Sequence, residues 1–155
     1  MNAAWTHLVA AHLVVVLVPL AALLSLIARW VASRPMERTA SVLLVLAALL
    51  AAVAYFSGPG ALEIIDPGGS QLSDLAESHA LAGRVAFSVA VLAGALALVG
   101  LLQEVQGEQP SAVLGWGVIL AAVVAGGTLV WAAHLGGVIR HPEIRSPAAI
   151  LSESL

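Results

Sequence analysis

Cysteine and lysine are both absent from this 155-residue sequence, and only 10% of its residues are charged. Without cysteine the chain cannot form disulfides, thiolate metal sites or iron–sulfur clusters, and it lacks the Cys-x-x-Cys-His attachment of c-type haem. Any redox cofactor would therefore depend on histidine, methionine or carboxylate ligands. The formal net charge is −3. The chain thus lacks the excess of basic residues that binds nucleic acid, and we expect no nucleic-acid partner.

Hydrophobic residues make up 61% of the chain, whereas ordinary soluble domains are about half apolar and about a quarter charged. Four stretches contain no Asp, Glu, Lys or Arg, and each reaches the roughly 18 residues at which a membrane span becomes the default interpretation. These stretches are Leu8–Ala28, Thr39–Phe56, Val85–Leu102 and Ala112–Ile139. This composition excludes a water-soluble globular domain.

Turn signals between these stretches predict an all-α fold, a four-helix transmembrane bundle in up-down order. The chain is expected to be a single domain, 1–155, with spans at about 7–32, 39–57, 79–102 and 111–139. Proline at position 35 ends the first helix, and Ser57-Gly58-Pro59-Gly60 breaks the second. Ser73 is the expected N-cap of the third helix.

Arginine placement predicts the orientation, because cytoplasmic loops favour Lys and Arg. Arg29, Arg34 and Arg38 crowd the first turn, whereas the long stretch 58–77 is acidic and contains no basic residue. We therefore expect both termini on the outer, periplasmic side of a bacterial inner membrane, with the lipid bilayer as the surroundings of a multi-pass protein.

The five histidines all fall in the outer half of this topology; they are His7, His12, His79, His134 and His141. At about 1.5 Å per residue, His12, His79 and His134 lie about 30, 35 and 32 Å above the cytoplasmic ends of their helices. Three helices thus bring an imidazole to nearly one layer. Axial ligation of b-type haem requires this arrangement, since two imidazoles on facing helices approach one iron from opposite sides.

The expected haem-binding residues are accordingly His12, His79 and His134, with His7 behind them and Arg84 as partner of a haem propionate. Glycines near two of these histidines, such as Gly83 and Gly136, would leave room for a flat porphyrin. Simpler roles are open for every one of these residues: interfacial solvation, a hydrogen bond to a neighbouring helix, or, for Arg84, a salt bridge with Glu77 or Asp74.

Short motifs in chain order carry a resemblance. They are His7-Leu-Val-Ala-Ala-His12, then Gly58-Pro59-Gly60-Ala61-Leu62-Glu63, then Glu77-Ser78-His79-Ala80, then Gly136-Gly137-Val138-Ile139-Arg140-His141. Together they resemble an uncharacterised family of four-helix bacterial inner-membrane proteins, which begin with His-Pro and a second His five residues on, followed by Phe-Pro. Leu8 replaces the first of those prolines, and Leu13-Val14 replace Phe-Pro. The resemblance implies the four-helix architecture and, by analogy with membrane b-type cytochromes, haem.

The sequence therefore predicts a membrane-embedded b-type haem protein that transfers electrons, alone or as a small subunit of a larger respiratory or photosynthetic complex. An electron carrier or accessory subunit is expected rather than a stand-alone enzyme, because hydrolase and ATPase motifs are absent. Two alternatives remain open at this point. One is a structural subunit without cofactor, and the other is an outer-face copper or zinc site in which Glu63 or Glu77 converges on His79.

Overall fold

The computed structural model describes residues 2–69 and 72–141, and within them it contains four α-helices and no β-strand. The helices are α1 (Ala3–Trp30), α2 (Arg34–Ile65), α3 (Ser73–Val105) and α4 (Ala112–Arg140). Each helix is long and apolar enough to span a membrane. The prediction of an all-α chain with four long apolar helices is confirmed, and these helices have the length and composition of a multi-pass membrane protein.

Two helices begin at residues whose side chains cap them. The Asn2 side-chain oxygen accepts a hydrogen bond from the backbone N–H of Trp5 at 3.0 Å, at the start of α1. The Ser111 hydroxyl oxygen accepts from the N–H of Leu114 at 3.2 Å, at the start of α4. Each bond satisfies one of the backbone donors that a helix leaves open in its first turn.

The start of α3 differs from its prediction. Leu72 is the N-cap, and Ser73 is already the first helical residue, so Ser73 does not cap the helix. The N–H of Leu72 donates instead to the Asp66 carboxylate at 3.0 Å, and Asp66 is buried. A carboxylate at the end of α2 thus binds the backbone of the residue that precedes α3, and no side chain caps α3.

The first turn of α2 includes the proline that was expected to lie in a loop. Ser33 is the N-cap, and Pro35 lies within the first turn of the helix. Proline is favourable there because its fixed φ suits a helix and its missing N–H would have no helical partner. The chain reverses direction before α2 begins. The reversal lies at Ala32, which has a φ of 52° and follows the end of α1 at Trp30.

The predicted break at Ser57-Gly58-Pro59-Gly60 is wrong, since α2 continues through it to Ile65 with Pro59 inside the helix. The glycines serve close packing instead of a turn. A Cβ on Gly60 would lie 3.0 Å from the Cβ of Ala3, and one on Gly58 would lie 3.6 Å from the imidazole of His7. Both contacts are with α1, so the stretch brings the end of α2 against the start of its neighbour.

The helices pack in cyclic order, with α1 beside α2 and α4, and with α3 beside α2 and α4. Consequently α1 and α3 face each other across the diagonal of the bundle. We call the end with the starts of α1 and α3 the histidine end, since it holds all five histidines. The opposite end, with the turn between α1 and α2, is the arginine end.

Small residues fill the interior, and large apolar side chains point outward. The buried positions near the histidine end are mostly alanine, in a cluster of Val14, Val18, Ala47, Ala51, Ala82, Ala86, Ala90, Ala125, Leu129 and Ala132. Large side chains such as Leu49, Phe56 and Leu120 are more than half exposed. A water-soluble bundle would bury those side chains, so this distribution is the one expected of helices surrounded by lipid.

Charged groups join the helices at the arginine end, where the described residues form three ion pairs. Glu37 accepts from Arg29 at 3.5 Å and from Arg34 at 3.3 Å, and Arg38 lies 4.0 Å from Glu104 on α3. Arg29 also donates to the Ala112 carbonyl at 3.1 Å and lies over the Trp116 ring at 5.3 Å. The arginine-rich turn therefore links the α1–α2 pair to the α3–α4 pair.

The closest contact in the bundle gives a test of this packing. A Cβ on Gly94 of α3 would lie 2.5 Å from the Cβ of Ala48 and 3.1 Å from the Leu44 carbonyl oxygen, both on α2. We expect Gly94→Ala to force the helices apart and to lower the free energy of unfolding by about 1–3 kcal/mol, measured by SDS titration of the protein in mixed micelles with circular dichroism.

The matched control is Gly83→Ala on the same helix, because a Cβ there meets nothing within 4 Å. This variant should keep or slightly raise the stability, since alanine favours a helix by up to about 1 kcal/mol over glycine. If Gly94→Ala were as stable as Gly83→Ala, the close approach of α2 and α3 would be refuted.

Candidate functional site

Two of the five histidines turn into the bundle and three turn outward. His7 and His79 are half-buried, whereas His12, His134 and His141 are exposed. The sequence placed His12, His79 and His134 together as ligands, with His7 in reserve. The structure instead brings His7 together with His79, and it places His12 and His134 on outer faces of the bundle.

The rings of His7 and His79 meet across the diagonal of the bundle. Their centroids are 6.2 Å apart and their planes are inclined at 83°. His7 lies in the second turn of α1 and His79 in the second turn of α3, so both rings lie at the histidine end, between the four helices. This ring contact therefore joins two helices that are not adjacent in the cyclic order.

Each of these imidazoles is held by a backbone carbonyl of the neighbouring helix. His7 Nδ1 lies 2.7 Å from the Ala54 carbonyl oxygen on α2, and His79 Nδ1 lies 3.0 Å from the Ala132 carbonyl oxygen on α4. A carbonyl oxygen only accepts, so both Nδ1 atoms carry the proton and donate it. In the neutral rings Nε2 is left with its lone pair, and neither Nε2 has a hydrogen-bond partner among the described residues.

A glycine lies against each ring and allows this close fit. A Cβ on Gly58 would be 3.6 Å from His7 Cε1, and one on Gly136 would be 3.0 Å from His79 Cε1. Gly58 follows Ala54 by one helical turn, as Gly136 follows Ala132, so carbonyl and glycine form the same cradle twice. The sequence suggested Gly83 and Gly136 as space for a flat porphyrin, but Gly136 packs against the His79 ring, and a Cβ on Gly83 would meet nothing within 4 Å.

The other expected ligands do not join this pair. His12 donates from Nδ1 to the Leu8 carbonyl of its own helix at 2.7 Å, which leaves its ring on the outer face of α1. His134 and Arg84 are also exposed. Arg84 forms no ion pair within the described part of the chain, so neither of its suggested acidic partners, Glu77 and Asp74, is bound to it.

Carboxylates do not complete a metal site either. Within residues 2–69 and 72–141, no group of three or more His, Cys, Asp or Glu side chains could hold a metal ion. Glu63 and Glu77, which the copper or zinc alternative required near His79, are both exposed. Among the described residues, the nitrogen donors that the structure brings together at this end are thus those of two imidazoles.

A porphyrin is much wider than an imidazole, so haem would have to extend from between the two rings into the spaces between helices. The contacts of Gly58 with His7, of Gly60 with Ala3 and of Gly136 with His79 leave little room for it between α1 and α2 and between α3 and α4 at this level. Haem b stays a prediction from the sequence.

Comparisons of the chain with protein families, with curated proteins and with solved structures found no match. The resemblance to four-helix inner-membrane proteins therefore stays a prediction, and the functional argument depends on the geometry of the chain itself.

The two cradled histidines should stabilise the bundle more than the two exposed ones. We expect His7→Ala and His79→Ala each to lower the free energy of unfolding by about 0.5–2 kcal/mol, because each removes a hydrogen bond between helices in apolar surroundings. His12→Ala and His134→Ala should change it by less than about 0.5 kcal/mol. The measurement is SDS titration followed by circular dichroism.

Asparagine provides the conservative variant, because its side-chain amide N–H₂ can take the place of Nδ1–H. His7→Asn and His79→Asn should recover most of the stability lost in the alanine variants. Equal losses in the asparagine and alanine variants would show that the carbonyl contacts do not hold these side chains.

Proposed function

We propose that this protein is a membrane-embedded metal-binding protein that holds one transition-metal ion between Nε2 of His7 and Nε2 of His79. The observation that carries the proposal is the pair of half-buried imidazoles that face each other with centroids 6.2 Å apart. Imidazole nitrogen is a ligand of zinc, copper, iron and nickel. The site belongs to the class of outer-face copper or zinc sites, with His7 in place of a glutamate.

The hydrogen bonds of the two rings support this assignment. Histidines that bind metals almost always donate their other ring N–H to a carboxylate, a backbone carbonyl or water, which fixes the tautomer and aims the free nitrogen. His7 and His79 both do so, through the carbonyls of Ala54 and Ala132. A purely structural histidine needs one such bond, whereas here the two imidazoles that make it also lie close together, with centroids 6.2 Å apart.

The surroundings of the site support a position at the edge of the bilayer. His7 and His79 lie close to the starts of their helices, whereas the arginines and ion pairs lie at the other end. We infer that the arginine end faces the cytoplasm and that both termini face the periplasm of a bacterial inner membrane, because basic residues favour the cytoplasmic side. Metal would then enter from the outer aqueous phase.

Metal binding is measured on the full-length chain in detergent micelles, stripped with chelator and dialysed against Zn²⁺ or, without oxygen, against Cu⁺. We expect about one tightly held ion per chain for at least one of these metals. His7→Asn and His79→Asn should lower the affinity at least about tenfold while keeping the fold, since they keep the carbonyl bond and remove Nε2. Elemental analysis by mass spectrometry gives the metal content.

The controls are His12→Asn and His134→Asn, which remove exposed imidazoles and should leave the metal content unchanged. Equal losses in all four variants, or no bound metal in the unmodified chain, would overturn the proposal. A reduced-minus-oxidised visible spectrum of protein expressed with sufficient haem tests the cytochrome alternative. A sharp b-type α-band that His12→Ala abolishes would establish haem instead of a single ion.

The orientation can be tested directly because the chain contains no cysteine. One cysteine is introduced at a time, as Asp74→Cys or as Glu108→Cys. Asp74 lies at the start of α3 and Glu108 in the connection between α3 and α4, and both residues are exposed. In intact cells a membrane-impermeant maleimide should label Asp74→Cys, whereas Glu108→Cys should react only after the membrane is permeabilised. The reverse pattern would invert the orientation without affecting the metal site.

A further inference from the structure

The two helix pairs repeat one pattern of buried residues. If α3 is placed on α1 so that His79 matches His7, six of the seven buried positions of each helix coincide. In α1 they are Ala10, Val14, Val18, Ala21, Ala22 and Ser25, and in α3 they are Ala82, Ala86, Ala90, Ala93, Gly94 and Ala97. The histidines thus occupy equivalent places on two equivalent helix faces.

The same relation joins α2 and α4. If Ala132 is placed on Ala54, Gly136 falls on Gly58, and all five buried residues of α2 coincide with buried residues of α4. They are Ala40, Leu44, Ala47, Ala51 and Ala61 in α2, and Val118, Ala122, Ala125, Leu129 and Ile139 in α4. The two hairpins therefore bury corresponding positions along their lengths.

His7 and His79 occupy corresponding places in the two hairpins, and each donates to a backbone carbonyl and lies against a glycine of the adjacent helix. In the proposed metal site, the Nε2 atoms of both rings turn toward one ion between them. At the usual metal–imidazole distance of about 2 Å, with about 1 Å from each nitrogen to its ring centre, the centroids of two opposed rings lie about 6 Å apart. The observed centroid distance is 6.2 Å.

Two opposed ligands suit few ions. Zinc in proteins takes four ligands, and calcium and magnesium take six or more, mostly oxygen. Among residues 2–69 and 72–141 no third His, Cys, Asp or Glu joins the pair. Copper(I) accepts two ligands in a straight line, and imidazole is among the ligands that suit copper.

Charge favours the same ion. Neutral imidazoles bring no charge to offset that of an ion, and within residues 2–69 and 72–141 no Asp or Glu joins the two histidines in a group that could hold a metal ion. The cost of transferring an ion from water into apolar surroundings grows with the square of its charge, so a monovalent ion is buried at a much lower cost than a divalent one.

We infer that the metal is copper(I), held in two-coordinate geometry between the equivalent Nε2 atoms of His7 and His79. This inference depends on the proposed function and names its metal. We expect the two ligands to contribute to a similar extent, since each is oriented by a carbonyl and a glycine of the adjacent helix.

The test is an oxygen-free competition of the full-length chain in micelles against a chromogenic copper(I) chelator, with Zn²⁺ measured in parallel and X-ray absorption at the copper edge. We expect about one copper(I) per chain with two nitrogen ligands, and at least about tenfold weaker binding of Zn²⁺. His7→Asn and His79→Asn should weaken copper(I) binding to the same extent, within about threefold. His12→Asn should have no effect.

The outcomes separate the two proposals. Tighter binding of Zn²⁺ than of copper(I), or three or more ligands in the absorption spectrum, would overturn copper(I) and leave the histidine metal site standing. Full copper(I) affinity in either His7→Asn or His79→Asn would overturn the paired geometry. If neither ion binds to the unmodified chain, both the metal site and its copper(I) assignment fail.

Discussion

Close packing of alanine and glycine faces is the constraint on which the rest of this structure depends. Helices surrounded by lipid gain little from burying large apolar side chains against one another, so they associate through small residues that let their backbones approach. Gly94 shows how tight this approach is, with space for no more than a hydrogen atom opposite Ala48. Where the backbones are this close, carbonyl oxygens of one helix come within reach of polar side chains on the next.

This close approach of backbone carbonyls explains how the two imidazoles are held at the histidine end. The carbonyls of Ala54 and Ala132 each accept a hydrogen bond from an imidazole on the adjacent helix, and Gly58 and Gly136 leave space for the rings. The Ala54 carbonyl also accepts from the Ser57 hydroxyl at 3.1 Å. These bonds engage Nδ1 of each ring, and helix packing brings the two ring centroids to a distance of 6.2 Å.

At the arginine end, charged side chains rather than close backbone contacts join the helices. Its side chains reach water, so charge can be used, and Glu37 accepts from two arginines that flank the α1–α2 turn. Exposed ion pairs of this kind contribute little free energy each, about 0–1 kcal/mol, yet they help to set which helix ends lie together. Charged groups therefore position the turn at the arginine end, whereas neutral groups position the candidate metal ligands at the histidine end.

The sequence by itself determined the number of helices and their class, because charge-free runs of this length have few other stable forms. The places of the histidines in the four helices also put all five toward one end of the bundle. The sequence misjudged Ser57-Gly58-Pro59-Gly60, since glycine signals a turn in one context and close helix contact in another, and only the position of α1 decides between them.

The prediction ranked His12 ahead of His7 as a ligand because depth along a helix can be counted from the sequence, but the direction of a side chain depends on which face packs inward. His7 shares a face with the small residues Ala10 and Ala21, and His12 lies among Leu8, Val16 and Leu20, so a comparison of residue sizes could have found the inward histidine. The pairing of His7 with His79 across the diagonal was decided by the tertiary structure alone, because it depends on how two hairpins dock against each other.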